Sequence, residues 1–217
     1  MLLLALICSP LSLRAQSGAQ DKPDTPRAKE EHPGTVTLQG PYVPITGKER
    51  LRWFVSQTIG PPSLFVGVLS AGIATARDKP FEYGPGWEGF GKRYGIRLSG
   101  VSTGNAMNAG LGALWGEDPR YFTATGRPFG ARVRNIVTYT FMARRPDGHL
   151  APAYARYIAT PGNNFLSNAW RADSEATNSE ALKRTGIGFA GRMGANAFRE
   201  FWPDVKRMIT HRKSDPD

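Results

Sequence analysis

Apolar residues recur along this chain at steps of three and four over long stretches, and that period predicts helices almost throughout. Thr46 caps a first helix that opens at Lys48-Glu49-Arg50, carries Leu51, Phe54, Val55 and Thr58 on one face, and breaks at Gly60-Pro61-Pro62. Ser63 to Arg77 reads as a second, with Leu64, Val68, Ala71 and Thr75 in helical register, and Asp78-Lys79-Pro80 stops it. The two form a bent pair. A third helix, from Trp87 to Trp115, sets Gly91, Gly95, Ser99, Ser102, Ala106, Ala109 and Ala113 along one stripe, a narrow side expected to face a neighbour. Arg132 to Arg144 fits either period: Val133, Ile136, Val137, Thr140 and Phe141 suit a helix, whereas Val137, Tyr139 and Phe141 alternate like a strand, and helix is favoured. Short helices follow at Pro152 to Ala159 and Asn164 to Trp170, around Thr160-Pro161-Gly162. A last long helix runs from Glu175 or Ser179 to Trp202, where Pro203 stops it. The expected fold class is all-α, a helical bundle with long helices rich in small residues.

The two long helices match each other. Lys92-Arg93-Tyr94-Gly95-Ile96 aligns with Lys183-Arg184-Thr185-Gly186-Ile187, Gly100 with Gly191, and Asn105-Ala106 with Asn196-Ala197, all at one offset of 91 residues. A proline-opened helix precedes each, and a tryptophan followed by a proline and an acid ends each. This pattern suggests two related halves, about 61–120 and 152–207.

Residues 2–8, Leu-Leu-Leu-Ala-Leu-Ile-Cys, with small residues near Ala15 to Ala19, predict a signal peptide over 1–19 and hence export to the periplasm or cell envelope. From 20 to 44 the chain holds Pro23, Pro26, Pro33, Pro41 and Pro44 among polar residues and reads as a disordered linker. The helical domain then covers 45–208, and 209–217 reads as a disordered tail.

Two windows without charge, 53–76 and 98–116, have the length of a bilayer span, but Ser, Thr, Asn and Pro within them argue against one. The formal charge is +10, and its Lys and Arg residues are spread over the domain rather than gathered in a run. In an exported protein such charge points to anionic lipid headgroups or envelope polymers and not to nucleic acid; a solvated basic face is the plain alternative. Self-association into a homo-oligomer is open. One Cys and three His leave no disulfide framework and no histidine-rich metal centre, and no motif calls for a cofactor.

Candidate chemistry is sparse. In Trp115-Gly116-Glu117-Asp118-Pro119-Arg120-Tyr121, Gly116 suits a left-handed helix end, Asp118 a cap and Pro119 a first helical position, so a structural corner is the first reading. The catalytic reading makes Glu117 or Asp118 a general acid or base tuned by Arg120. Phe201-Trp202-Pro203-Asp204 repeats that corner. Arg97, Asn105, Asn196 and Asp204 are candidates for a structural polar network. His149 follows the turn Pro146-Asp147-Gly148 and is expected to face solvent.

The segments Tyr83-Gly84-Pro85-Gly86-Trp87-Glu88-Gly89-Phe90-Gly91-Lys92-Arg93-Tyr94-Gly95, Leu114 to Phe122, and Phe201-Trp202-Pro203-Asp204 resemble an uncharacterised group of bacterial exported proteins, over about 45–208. That resemblance implies no activity, cofactor or catalytic residue. The expected function is a non-enzymatic envelope protein associated with a membrane surface or another envelope component. The alternatives are a hydrolase-like enzyme using Glu117 or Asp118, and an integral membrane protein with a helix pair at 53–76 and 98–116.

Overall fold

In the computed structural model, which describes residues 30–32, 35–37 and 41–211, six helices carry the chain. They are α1 (Gly47–Ile59), α2 (Pro61–Ala76), α3 (Gly86–Leu114), α4 (Phe129–Phe141), α5 (Tyr154–Leu166) and α6 (Asn178–His211). The fold is all-α. Its strands are three residues long: β1 (Glu30–His32) and β2 (Thr35–Thr37) pair antiparallel, β2 runs parallel to β3 (Tyr121–Thr123), and β4 (Met142–Arg144) pairs with β5 (Leu150–Pro152).

Local chemistry sets the helix starts. Thr46 and Glu49 form a reciprocal capping box at α1, the Thr46 hydroxyl accepting from the Glu49 N–H and the Glu49 carboxylate from the Thr46 N–H. Gly60, with ψ 155°, leaves the helical region, and the prolines after it lack the N–H that would bridge the break. The break does not turn the chain back. Arg50 reaches the Ala109 carbonyl, Asn105 Nδ2 donates to Thr58 Oγ1 at 3.2 Å, and a Cβ at Gly67 would lie 2.9 Å from both Tyr94 and Arg97. These pairs keep nearly one register, so α1 and α2 form a kinked rod running antiparallel to α3.

α5 lies antiparallel along another side of α3, with Asn163 and Ala155 against Gly104 and Gly112 and Gly162 against Met107. A Cβ at Gly104 would stand 3.0 Å from the Asn163 amide, which explains glycine at a position where it costs helix propensity. α6 packs antiparallel on α5, through Gly188 on Thr160 and a 3.2 Å hydrogen bond from Asn164 to Thr185.

The small-residue stripe of α3 faces the other way from the expectation. Gly91, Gly95, Ser99, Ala106 and Ala113 are exposed, and nothing lies within 4 Å of a Cβ at Gly91 or Gly95. The packed face is Gly89, Arg93, Gly100, Gly104, Asn108 and Gly112. α3 carries small residues on both sides, and the closer approach goes to the side richer in glycine. Three boundaries also differ. Pro161 sits inside an unbroken α5 and Pro203 inside α6, which continues past 208 to His211. Two strands lie within the stretch read as a linker, because the β-branched run Thr35-Val36-Thr37 supplies a partner for β3. Asp118 caps no helix: Tyr121–Thr123 is a strand. The ambiguous stretch is helix to Phe141 and strand from Met142. The signal peptide at 1–19 lies outside the described residues, as does the tail beyond 211.

The two long helices matched at an offset of 91, α3 and α6, make like contacts, and the likeness extends to α1 and α4, outside the anticipated halves 61–120 and 152–207. Arg93 Nη1 donates to Gly84 O at 2.6 Å, and Arg184 Nη1 donates to Glu175 O at 2.6 Å. Asn105 bonds Thr58, the penultimate residue of 13-residue α1, and Asn196 bonds Thr140, the penultimate residue of 13-residue α4, each at 3.2 Å. Helices α1, α2 and α3 therefore correspond to α4, α5 and α6.

Several polar side chains lie inside the bundle and many large apolar ones outside. Buried apolar residues are mostly alanines besides Trp53, Tyr121, Phe122, Ile136 and Tyr139, while Glu200, Asp118, Thr140, Arg156 and Asn196 are sealed inside. Large apolar side chains cover the outside of α1, α2, α4, α5 and α6.

Candidate functional site

The corner after α3 is built around its carboxylates. Gly116, at φ +69°, ends the helix in the left-handed region, and the Glu117 N–H closes back on Gly112 O at 2.7 Å. The next N–H, of Asp118, bonds Arg144 O at 2.9 Å and ties the corner to β4. Both acids then point inward: Glu117 is 3% exposed and Asp118 1%.

Asp118 is fully engaged. It accepts from the Arg120 N–H (3.0 Å), from Arg120 Nε (3.0 Å) and Nη2 (2.7 Å), and from the Tyr42 hydroxyl (3.1 Å). Burial and the Asp118 charge push the Tyr42 hydroxyl pKa up, so Tyr42 stays a donor. Arg120 also reaches Val43 O at 3.0 Å, fastening the segment before α1 to the corner. With its acceptor positions filled by four donors, Asp118 holds structure together.

Glu117 differs. Its Oε2 accepts from the Ala155 N–H at 3.1 Å, at the start of α5, where a negative charge meets the positive end of the helix. Its Oε1 is buried with no hydrogen bond among the described residues, 3.4 Å from Arg145 Nη2. A cleft of ≈260 Å³ lies at this corner, lined by Tyr42, Ile45, Arg50, Ala113, Gly116 and Pro146 among others. Neither Glu117, Asp118 nor Arg120 lines it.

Beyond the corner, β3 leads to a second joint that sequence reasoning missed. Glu200, on α6 and 0% exposed, accepts from Tyr121 Oη (2.5 Å), the Ala124 N–H (3.0 Å), Arg132 Nε (3.1 Å) and Asn135 Nδ2 (3.3 Å). Arg132 continues to Asp204 Oδ2 at 2.5 Å, donates to the Glu200 carbonyl, and stacks over Phe201 at 4.4 Å. Burial, then the bond to Glu200, raises the Tyr121 pKa. Asp204, singled out by its place after Trp202, is thus the outer partner of an arginine whose inner partner no local motif announced.

The four residues expected to share one polar network occupy four places. Asn105 bonds Thr58, Asn196 bonds Thr140, and Asp204 pairs with Arg132. Arg97 lies against Gly67, with burial lowering its pKa. His149 is exposed beside Asp147.

Four of the arginines are interior rather than part of a basic surface. Arg93, Arg120, Arg132 and Arg156 are at most 8% exposed. Arg93 gathers the carbonyls of Lys79, Pro80 and Gly84. Arg156 donates to the carbonyls of Tyr139 and Thr140 at the end of α4, where helix carbonyls lack partners, and its burial lowers its pKa to about 10. Arg192, on the facing side of α6, is held well below the ordinary arginine value by burial and by Arg156 and Arg199. No group of three His, Cys, Asp or Glu side chains converges among the described residues.

No family model, curated protein or solved structure matches this chain.

Proposed function

We propose that this chain is an exported, non-enzymatic cell-envelope protein that docks on an anionic membrane surface through the outer side of the α1–α2 rod. The carrying observation is that rod: Gly47–Ala76 has a mean hydropathy of 1.5 over its most apolar window, of which 11% is buried. Leu51, Val55, Ile59, Phe65 and Val68 are between 42% and 64% exposed, and exposed Lys48 and Arg52 at one end and Arg77 and Lys79 at the other suit anionic headgroups.

Register favours lying on the surface over crossing it. Antiparallel packing sets the charge-free 53–76 and 98–116 out of step, so they overlap over about 13 residues, roughly 20 Å, against a hydrocarbon core of about 30 Å. Exposed Glu88 and Lys92 on α3 flank the remaining apolar half of α2. The bound corner acids support the non-enzymatic side of the reading: Asp118 has no free acceptor, and neither it nor Glu117 lines the adjoining cleft.

Flotation of the full chain with phosphatidylglycerol vesicles tests it. The chain floats, a carbonate wash releases it, and raising salt weakens binding. Val55→Glu weakens binding roughly tenfold, the loss expected from about 1.4 kcal/mol of apolar contact. A chain that stays in the soluble fraction with these vesicles would overturn the reading.

A further inference from the structure

The two halves meet along one seam, α3 of the first against α5 of the second, in which Gly104, Met107 and Gly112 take Asn163, Gly162 and Ala155. Each half owns both sides of such a seam. The second half's counterpart of α3 is α6, where the offset of 91 puts Gly191, Ala195 and Phe198 in the places of Gly100, Gly104 and Met107. All three are exposed, nothing lies within 4 Å of a Cβ at Gly191, and Phe198 is 60% exposed beside Ile187 at 69%.

The first half's counterpart of α5 is α2. Gly67 meets α3 as Thr160 meets Gly188 of α6, an offset of 93. By that offset the α5 row Ala155, Ala159 and Gly162 corresponds to Pro62, Val66 and Leu69 of α2, and these are also exposed. Among the described residues, the molecule thus presents on opposite halves two exposed faces that correspond to the sides of an interface it already makes once.

We propose that the α6 face Gly191–Ala195–Phe198 of one copy docks the α2 face Pro62–Val66–Leu69 of a second copy, repeating between molecules the seam that α3 and α5 make within one. The contact joins two different surfaces, so it is head-to-tail and builds a ring or an open chain rather than a two-fold dimer. The apolar ridge of Val66 and Leu69 complements the shallow groove left by Gly191 and Ala195. It covers part of the α2 share of the rod's outer side and leaves the α1 row Leu51, Val55 and Ile59 open, so a change in the α1 row weakens vesicle binding without touching self-association.

Sedimentation velocity on the full chain tests the pairing with two variants at exposed positions, Ala195→Trp to block the α6 face and Leu69→Arg to block the α2 face. The unmodified chain sediments as species larger than a monomer, and each variant alone as a monomer. An equimolar mixture of the two sediments as dimers, since the intact α6 face of one variant meets the intact α2 face of the other. Leu51→Arg, outside the seam, sediments like the unmodified chain. A monomeric unmodified chain, a variant that remains oligomeric, or a mixture that stays monomeric overturns the proposal; only a heterologous contact is restored by mixing.

Discussion

Glu200, inside α6, and Glu117, at the corner after α3, are both sealed from solvent, yet they are satisfied to different degrees. Glu200 accepts from four donors drawn from β3, the turn after it and α4. Glu117 accepts from one, and its second oxygen has only a 3.4 Å arginine contact. A carboxylate with all its lone pairs used is a fastener, since its desolvation is offset by charge-assisted bonds. A half-used one is a weaker tie whose loss leaves fewer groups stranded.

The largest test of that contrast is Glu200→Ala. It removes the carboxylate acceptor for Tyr121, Ala124, Arg132 and Asn135 together and leaves Arg132 with Asp204 and the backbone carbonyl of residue 200. Breaking a buried pair of this kind costs about 4 kcal/mol, a large part of a typical domain's stability. Urea denaturation reads the loss directly; a cost under about 1 kcal/mol would show that the joint carries little of the fold.

A medium effect separates the joint's tyrosine from its acid. Burial and the Glu200 bond raise the Tyr121 pKa in the folded chain, while the unfolded chain releases that proton near the ordinary value of about 10. The protonated form is the one the fold favours, so this contribution is complete below pH 10. It is lost as pH rises above that, at about 1.4 kcal/mol per pH unit. Tyr42 adds the same sign, whereas Arg156, its pKa lowered to about 10, adds the opposite sign above that pH. Tyr121→Phe therefore flattens the alkaline fall by one proton's worth. Stability measured from pH 9 to 11.5 in both proteins checks this, and parallel curves would mean that Tyr121 titrates alike folded and unfolded.

What the sequence disclosed follows how local each feature is. The capping box at Thr46 and the left-handed end at Gly116 involve residues within a turn of each other, so residue type and spacing reveal them. The helical repeat was legible because both copies keep the same offset, and the Arg93 and Arg184 bonds to carbonyls nine residues upstream preserve it in three dimensions. Glu200 was not legible: its partners Arg132 and Tyr121 stand 68 and 79 positions away, and nothing beside it in sequence marks it. The α3 stripe misled for a different reason. Periodicity identifies faces, but when two faces of a helix are both small it does not say which one a neighbour takes. Charge counting does not say which arginines face outward, since an arginine on an apolar helix is as fit to collect loop carbonyls, as Arg93 does, as to meet water or lipid.

The smallest effect belongs to Glu117→Gln. The substituted amide keeps an oxygen for the Ala155 N–H and loses the charge that faces Arg145 and acts on buried Arg156, which keeps the carbonyls of Tyr139 and Thr140. Breaking a buried pair is costly chiefly when the surviving charge is stranded, and Arg145 is not: it is 17% exposed at its side chain and donates to the Trp115 carbonyl as well. The expected cost is about 1 kcal/mol, several times below that of Glu200→Ala, with vesicle flotation unchanged because Glu117 lies away from the α1–α2 rod's outer side. Urea denaturation and flotation of one preparation check both halves of this expectation. A loss as large as that of Glu200→Ala would erase the distinction between the two carboxylates and make the α3 corner as much a fastener as the α6 joint.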